Sequence, residues 1–501
     1  MKLFEKIILI SLSLILVSCT NELDVQQEGT PTEASFWKTE NDLITGANAM
    51  YKPLFEAEFY GRGLFWLINA SDDMVTGRAR SEADNAKNFN SSYIAAGDLE
   101  TQWNRRYTVI GVANRVIRNV GNIPTSDAVK NKYLGEALFM SSRMYFELAY
   151  SYGNEKAGVP IIDRTKEPDI NPIPRAANVM ENYNYIVNDL KQAAELLPTQ
   201  EELPPADYGR PHKVAAWALL SKVYLFMKDW ENAAYWANEV MTKGNRSLLA
   251  NYADVFKSEN NYSSEYIWSI PGTPKFTARG SILPGVVLEN KGWGEYNGWG
   301  YFQPTKELYD EYEANDVRRG VTILKPGDVF TFNAKERIYS STNSLTGYQF
   351  NKYMDAFKYP LNSGRVSANG DYPCTDLAVP IMRYAEVILI RAEALLMQGK
   401  NADQDINMIR QRAGLAAKSG CTLADLKHER RCELAGEWAD RHRDLVRWGD
   451  AQNTYAQALH GVNGQEVWAP RNFNPAIHNV WAVPQVEIIN SGGVIKQNEG
   501  W

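Results

Sequence analysis

Apolar residues recur at helical spacing in many segments of this chain, and this pattern predicts a mainly α protein. In one segment Trp103, Tyr107 and Ile110 lie three or four residues apart, which places them on one face of a helix. Prolines, glycines and polar pairs separate the segments. The predicted helices are Thr39–Phe55, Asp98–Val120, Ser126–Tyr152, Glu181–Leu197, His212–Met227, Trp230–Lys243, Ala385–Gln398, Ala402–Ala413 and the charged segment Leu423–Trp448, which is one long helix or a pair.

Two neighbouring helices have a repeat signature. Trp217, Leu220, Ser221, Tyr224 and Ala233 follow the spacing of the tetratricopeptide repeat, in which a small residue lets two helices approach closely. Weaker matches are Leu138 with Ser142 and Tyr145, and Ile390 with Ala394 and Met397. Three partial matches predict stacked tetratricopeptide-like hairpins, which form a scaffold for a binding face.

Three long segments have no clear periodicity. Residues 60–100, 244–380 and 453–501 are rich in Gly, Asn, Ser, Pro and aromatic residues. Long insertions of this kind in a compact protein are usually functional. We expect them to lie together on one side of the helices, with 60–100 and 244–380 supplying the ligand-binding loops.

The start of the chain has the composition of an export signal. Lys2 and Lys6 precede an apolar run from Ile7 to Val17, which is shorter than the roughly 20 residues that span a bilayer. Leu-Val-Ser-Cys at 16–19 has the form of a bacterial lipobox. Residues 1–18 therefore predict a lipoprotein signal peptide, with Cys19 lipidated. The alternative is an ordinary signal peptide followed by a chance cysteine.

Composition and charge exclude some function classes. The formal net charge is −7, which argues against a nucleic-acid partner because such a partner requires a concentrated basic face. Hydrophobic residues make up 44% of the chain, as in a globular protein.

Cysteines give little further information. Cys421 and Cys432 could form a disulfide in an oxidising compartment, or remain unpaired and partly buried, and Cys374 makes the count after Cys19 odd. The sequence has neither a CxxC motif nor a Cys/His cluster with metal-ligand spacing. We therefore expect no cofactor and no metal centre; a loop rich in Asp and Asn could hold structural calcium, although no EF-hand spacing occurs.

A Gly-rich aromatic segment is the first candidate for ligand contact. Trp293, Tyr296, Trp299 and Tyr301 alternate with glycines that cannot support a helix interior, so we expect their rings on an exposed loop. Their faces could stack on sugar rings. The alternative is a hydrophobic plug that holds the loop down.

A charged segment is the second candidate. Asp72, Asp73, Arg78 and Arg80 could form bidentate hydrogen bonds to vicinal hydroxyl groups. The alternative is a local salt-bridged turn, which contributes little to stability. Weaker companions of this group are Trp66 and Asn88.

Catalytic motifs do not appear in the sequence. The five histidines form no HExxH motif, and neither a GxSxG motif nor a phosphate-binding loop occurs. Acidic pairs are unavoidable among 60 carboxylates and so do not indicate a glycosidase. Arg383 and Glu386 are expected to form a structural pair. The sequence therefore predicts a protein without catalytic residues.

Several helical blocks resemble the SusD/RagB family of outer-membrane nutrient-binding lipoproteins. The most specific are Arg-Tyr-Ala-Glu at 383–386, Glu-Arg-Arg at 429–431 and Asp-Leu-Val-Arg-Trp at 444–448. The resemblance runs in order from Cys19 to Trp501. Departures are mild, with Glu499 and Trp501 where the family usually has Pro and Tyr.

This resemblance implies a single domain over 19–501, built from tetratricopeptide-like hairpins with loop-rich insertions on one side. It implies a lipid-anchored, surface-exposed protein of the bacterial outer membrane. Such a protein captures an oligosaccharide or polysaccharide for a SusC-like TonB-dependent transporter and catalyses no reaction. Two alternatives stay open: a member of the same family that binds peptides or glycopeptides, and a transporter lid with little affinity of its own.

Overall fold

The periodic segments fold into helices whose apolar faces pack on one another. A computed structural model describes residues 33–92, 97–167, 171–274, 283–287, 300–367 and 373–501. The main helices are α1 (Glu40–Ala49), α2 (Gly97–Asn119), α3 (Asp127–Tyr152), α4 (Val179–Leu196), α5 (Lys213–Phe226), α6 (Trp230–Lys243), α7 (Tyr384–Met397), α8 (Asp403–Arg412), α9 (Leu423–Leu434) and α10 (Arg441–Trp448). The predicted mainly α class is confirmed.

Shorter elements fill the segments between these helices. The short helices are Glu33–Phe36, Arg62–Ile68, Ser81–Lys87, Leu283–Val286, Lys306–Glu311, Val317–Thr322, Ala451–Tyr455, Pro475–His478 and Gln485–Asn490. The strands form antiparallel pairs, which are Met74–Thr76 with Phe302–Pro304, Tyr266–Ile270 with Val379–Arg383, Ile323–Leu324 with Gln349–Phe350, Val329–Phe332 with Lys335–Ile338, Val366–Ser367 with Cys374–Thr375, and Leu459–His460 with Glu466–Trp468. The segments expected to be irregular therefore contain regular structure.

The main helices stack in chain order. Each helix from α2 to α6 packs against the next, and α7 then packs on α6, α8 and α9. The stack is thus continuous from α6 to α7, although 140 residues, 244–383, lie between them in sequence. This insertion leaves the helices after α6 and returns at α7.

Small residues allow the helices to approach closely, as the repeat signature predicts. Ser221 and Ala233 are fully buried in the α5–α6 hairpin. At Gly135 in α3, a Cβ atom would lie 2.9 Å from the Leu197 Cγ atom, so α3 and the end of α4 meet there without space for a side chain. The tetratricopeptide-like packing follows from these contacts.

One predicted helix boundary is wrong, and one alternative that the sequence left open is decided. The segment predicted as Thr39–Phe55 ends its α-helix at Ala49 and continues as a 3₁₀ turn over Lys52–Phe55, because Pro53 has no N–H group for the α-helical ladder. The charged segment after Leu423 is a pair of helices, α9 and α10. It breaks between them at Gly436 and Asp440, which both have positive φ angles.

The insertion has a small core of its own. Phe332, Tyr339 and Phe357 belong to a buried cluster that is separate from the main core. At the base of the insertion, Tyr266–Ile270 pairs with Val379–Arg383 and brings its two ends together.

A buried ionic network lies beneath this strand pair. Arg383 donates to Glu433 over 2.6 Å, to Glu437 over 2.7 Å and to Glu265 over 2.8 Å. Glu386 instead accepts from Lys222 over 2.8 Å and from Arg430 over 3.1 Å. The expected pair between Arg383 and Glu386 is therefore wrong: the two residues take structural partners that are distant in sequence.

Cys374, Cys421 and Cys432 are all buried free thiols, so Cys421 and Cys432 are not bridged. Among the helices that the structure describes, none has both the length and the apolar character required to cross a membrane.

Candidate ligand-binding loops

A short strand pair brings the two candidate ligand segments together. Met74–Thr76 pairs with Phe302–Pro304, so the charged segment lies beside the residues that follow the aromatic one. Thr305 strengthens the junction, because its N–H donates to the Asp73 carbonyl over 3.0 Å and its hydroxyl to the Asp72 carbonyl over 2.7 Å. Residues far apart in sequence therefore share one loop face.

Arg78 and Tyr301 contact each other on this face. The Arg78 guanidinium lies 5.0 Å from the centroid of the Tyr301 ring, within the range of a cation–π interaction. Tyr301 directly precedes the strand Phe302–Pro304 and is only 7% exposed, so the expectation of an exposed ring is wrong for this residue. Arg80 pairs with Glu82 over 2.9 Å at a partly exposed position. Two of the predicted site residues are thus adjacent in space, and their ligand role stays a prediction.

Asp72 and Asp73 are buried and paired with distant arginines, not with residues of a local turn. Their exposed fractions are 5% and 2%. Arg431 of α9 lies 2.8 Å from each carboxylate, and Arg441 of α10 donates to Asp72 over 3.0 Å. The partners come from the C-terminal helices, so the arrangement is a long-range anchor rather than a local turn. A ligand would have to compete with these arginines for the two carboxylates.

The two carboxyl groups of this anchor have pKa values that are shifted in opposite directions. Burial alone would raise the pKa of Asp72, but Arg431 and Arg441 outweigh it and hold that pKa below its ordinary value. The pKa of Asp73 is raised, because burial and the neighbouring Asp72 charge exceed the effect of the shared Arg431.

An open cleft adjoins the anchor. It has a volume of about 530 Å³, and its walls are charged or polar. The lining residues are Lys306, Glu307, Asp310, Glu311, Arg431, His460 and Gly464. Arg431 connects the cleft to Asp73, since it also pairs with Glu311 over 2.8 Å.

One group near the cleft has the chemistry of metal ligands. Glu311, His428 and Cys432 bring a ligand atom each to within 4.8 Å of one another. His428 and Cys432 are four residues apart on one face of α9, a spacing that the sequence analysis did not recognise. Two of these residues already contact each other, since His428 Nδ1 lies 2.7 Å from a Glu311 carboxylate oxygen. Burial raises the pKa of the Cys432 thiol well above its ordinary value.

Several predicted residues are outside the structural description. Trp293, Tyr296, Trp299 and Cys19 lie outside the described residues, and their roles stay predictions.

Sequence reasoning missed three residues that shape this face. Arg431 and Arg441 were assigned to a charged helix, and nothing local indicates that their partners lie more than 350 positions away. Trp468, whose indole N–H donates to Asn88 over 2.9 Å, belongs to a segment that was noted only for its aromatic content. The available signal in the sequence was a tryptophan at the end of the polar stretch that contains Gly464.

Comparison with known proteins agrees with this architecture. The chain matches the description "SusD family" over residues 236–501 and the description "Starch-binding associating with outer membrane" over residues 29–225. It is 27% identical to SusD-like protein P2 of Formosa agariphila, over 99% of this chain and 99% of that protein. It is 26% identical to starch-binding protein SusD of Bacteroides thetaiotaomicron, over 67% of this chain and 68% of that protein.

A solved structure gives the same result for the fold. The crystal structure of a SusD-like protein from Bacteroides fragilis has a TM-score of 0.79 and 26% sequence identity, and the match covers 94% of this chain and 100% of that chain. The family match over residues 236–501 covers more than half of the sequence, and SusD-like protein P2 aligns along nearly all of it. The chain belongs to the SusD family.

Proposed function

We propose that this protein is a cell-surface lipoprotein that captures an oligosaccharide or polysaccharide and delivers it to a SusC-like TonB-dependent transporter of the outer membrane. In this proposal the protein binds its ligand noncovalently and catalyses no reaction. Lipidation at Cys19 would anchor it, and the description that matches residues 29–225 supports association with the outer membrane.

The observation that carries the proposal is the strand pair that joins the polar candidate segment to the residues that follow the predicted aromatic segment. Arg78 lies over Tyr301, and the segment that holds Arg78 is fixed to the C-terminal helices through Asp73. Sugar recognition needs aromatic and polar groups side by side, because ring faces pack against C–H groups while polar groups bond to hydroxyls. The likeness to a starch-binding relative supports a glycan as the ligand.

Rigidity of the loop face also supports a binding role. The anchor holds the loops before ligand arrives, so little conformational freedom is lost on binding. The proposed affinity comes from stacking on the predicted aromatic residues and from a few hydrogen bonds. Energy for import would come from the transporter.

Calorimetric titration tests the proposal. Residues 20–501 would be titrated with soluble starch, laminarin, xylan, mannan, pectin and a casein peptide digest. Saturable heat with one polysaccharide class supports glycan capture and identifies the class. Heat with the peptide digest alone would replace the glycan with a peptide ligand. Absence of heat from all of them would favour a lid that lacks affinity of its own.

A further inference from the structure

Trp468 lies against the same loop segment but comes from a different part of the chain. It ends the antiparallel hairpin formed by Leu459–His460 and Glu466–Trp468. Its indole N–H donates to the Asn88 side-chain oxygen over 2.9 Å. Asn88 is exposed and Trp468 is partly buried. Asn88 directly follows the helix Ser81–Lys87, so the hairpin contacts the N-terminal loops at this point.

The ammonium group of Lys87 fixes one face of the indole. The Nζ atom lies 5.4 Å from the centroid of the Trp468 ring. Lys87 is fully buried. Nζ donates to the carbonyl oxygens of Asn69, Ser71 and Met74 over 2.7, 2.9 and 2.8 Å. The protein therefore occupies the Lys87 side of the ring.

Trp468 keeps part of its surface accessible, because its side chain is only partly buried. The Lys87 ammonium is the contact that the structure shows on one face of the ring. Asn88 uses its oxygen to accept from the indole, which leaves the two N–H donors of the amide directed away from that bond. A flat apolar surface and an amide donor thus lie side by side.

We propose that Trp468 and Asn88 form a saccharide subsite in which a pyranose ring stacks on the outer face of the indole and a sugar hydroxyl accepts from the Asn88 amide. This inference rests on the proposed function and extends it to residues that the sequence analysis did not assign together. The ring is already held at one edge and one face, so binding would cost little side-chain freedom.

The subsite also indicates the length of the ligand. Asn88 and Arg78 belong to one continuous segment, and Arg78 lies over Tyr301. A glycan that contacts both Trp468 and the Arg78–Tyr301 pair would have to extend along this segment. Such a ligand would be an oligosaccharide or a polysaccharide chain, as the proposed function requires.

Substitution of the two residues tests the subsite. Residues 20–501 with Trp468→Ala, Trp468→Phe or Asn88→Ala would be compared with the unchanged chain in native gels that contain each polysaccharide of the panel, followed by calorimetry with the retained one. We expect Trp468→Ala to weaken binding about tenfold, the loss of one stacking contact, with smaller losses for the other two. Tyr235→Ala is the matched control, because Tyr235 is an aromatic residue of α6 that is 52% exposed and does not belong to this face.

The outcomes separate this inference from the proposed function. Binding by the unchanged chain with equal binding by Trp468→Ala and Asn88→Ala overturns the subsite and leaves the proposed function standing. If the unchanged chain binds no polysaccharide of the panel, both are overturned. Circular dichroism would check folding, and if Trp468→Ala does not fold, the surface variant Asn88→Ala decides.

Discussion

Arg431 Nε donates to Asp73 over 2.8 Å and so joins two residues that are 358 positions apart. The bond connects α9, near the end of the helix stack, to the loop that carries the N-terminal ligand candidates. The same guanidinium also pairs with Asp72 and Glu311. One arginine therefore holds three loop carboxylates against the helices.

Replacing this arginine should destabilise the protein strongly. Arg431→Met would leave Asp72 and Asp73 buried without their shared partner, a change that typically costs about 3–5 kcal/mol. Lys427→Met is the matched control on α9, since its pair with Asp450 is partly exposed and contributes at most about 1 kcal/mol. Urea unfolding would measure the free energy of unfolding of both variants. Equal losses in the two would contradict the anchor.

Acid should weaken the buried network through Glu433. Burial tends to raise the pKa of Glu433, but Arg412, Arg383 and Arg318 outweigh it, so the folded pKa lies below the ordinary value of 4.5. A carboxylate with a lowered folded pKa stabilises the protein above the unfolded pKa, and this contribution is lost as the pH falls. Stability should therefore decline as the pH falls below about 4.5.

The variant Glu433→Gln isolates this contribution. It should be less stable than the unchanged chain at pH 7, by about 3–5 kcal/mol, because three arginines lose a charged partner. It should also lose less stability between pH 5 and pH 3, since the titrating group is absent. Thermal unfolding at both pH values checks this. A parallel decline in the two proteins would show that other carboxylates control the acid response.

Helix contacts at Gly135 should not tolerate a side chain. Gly135→Val would force atoms against Leu197 and Leu196 and should lower the free energy of unfolding by about 1–3 kcal/mol. Gly111 of α2 is the control, because no atom lies within 4 Å of the Cβ position there. Gly111→Ala should raise stability by about 0.5–1 kcal/mol. Denaturant titration measures both, and a stable Gly135→Val protein would disprove the close approach of α3 and α4.

The Gly-rich aromatic segment makes a separate prediction. Trp293→Ala and Trp299→Ala should each reduce the affinity for the bound polysaccharide about tenfold, because each removes a stacking surface. Tyr235→Ala serves again as the control and should bind as the unchanged chain does. Calorimetry measures the dissociation constants. Unchanged binding in both tryptophan variants would assign those rings to holding the loop in place.

Local patterns predicted the helices well because each helix shows its buried face in its own sequence. The repeat residues Ser221 and Ala233 are buried where the spacing required. The error at the end of α1 occurs where one backbone property, the missing N–H group of Pro53, overrides the pattern. The pattern also left open whether the last charged segment is one helix or two, which the positive φ angle of Gly436 decides.

The candidate site was less predictable because its environment is built from distant parts of the chain. Asp72 and Asp73 lie near Arg78 and Arg80 in sequence, which suggested a local turn as one alternative, but their partners Arg431 and Arg441 are on the C-terminal helices. A single sequence does not contain that pairing. The same holds for Trp468, whose contact with Asn88 requires the hairpin and the N-terminal loop to meet.

The strand pair at the base of the insertion has an evolutionary consequence. Tyr266–Ile270 and Val379–Arg383 hold the two ends of the intervening chain together, directly above the charges around Arg383. Changes in the loops between residues 271 and 378 therefore need not disturb the register of α6 against α7, as long as buried contacts such as those of Arg318 with Glu429 and Glu433 are retained. Such a closed attachment makes the scaffold modular: new recognition loops can be exchanged while the supporting helices retain their sequence.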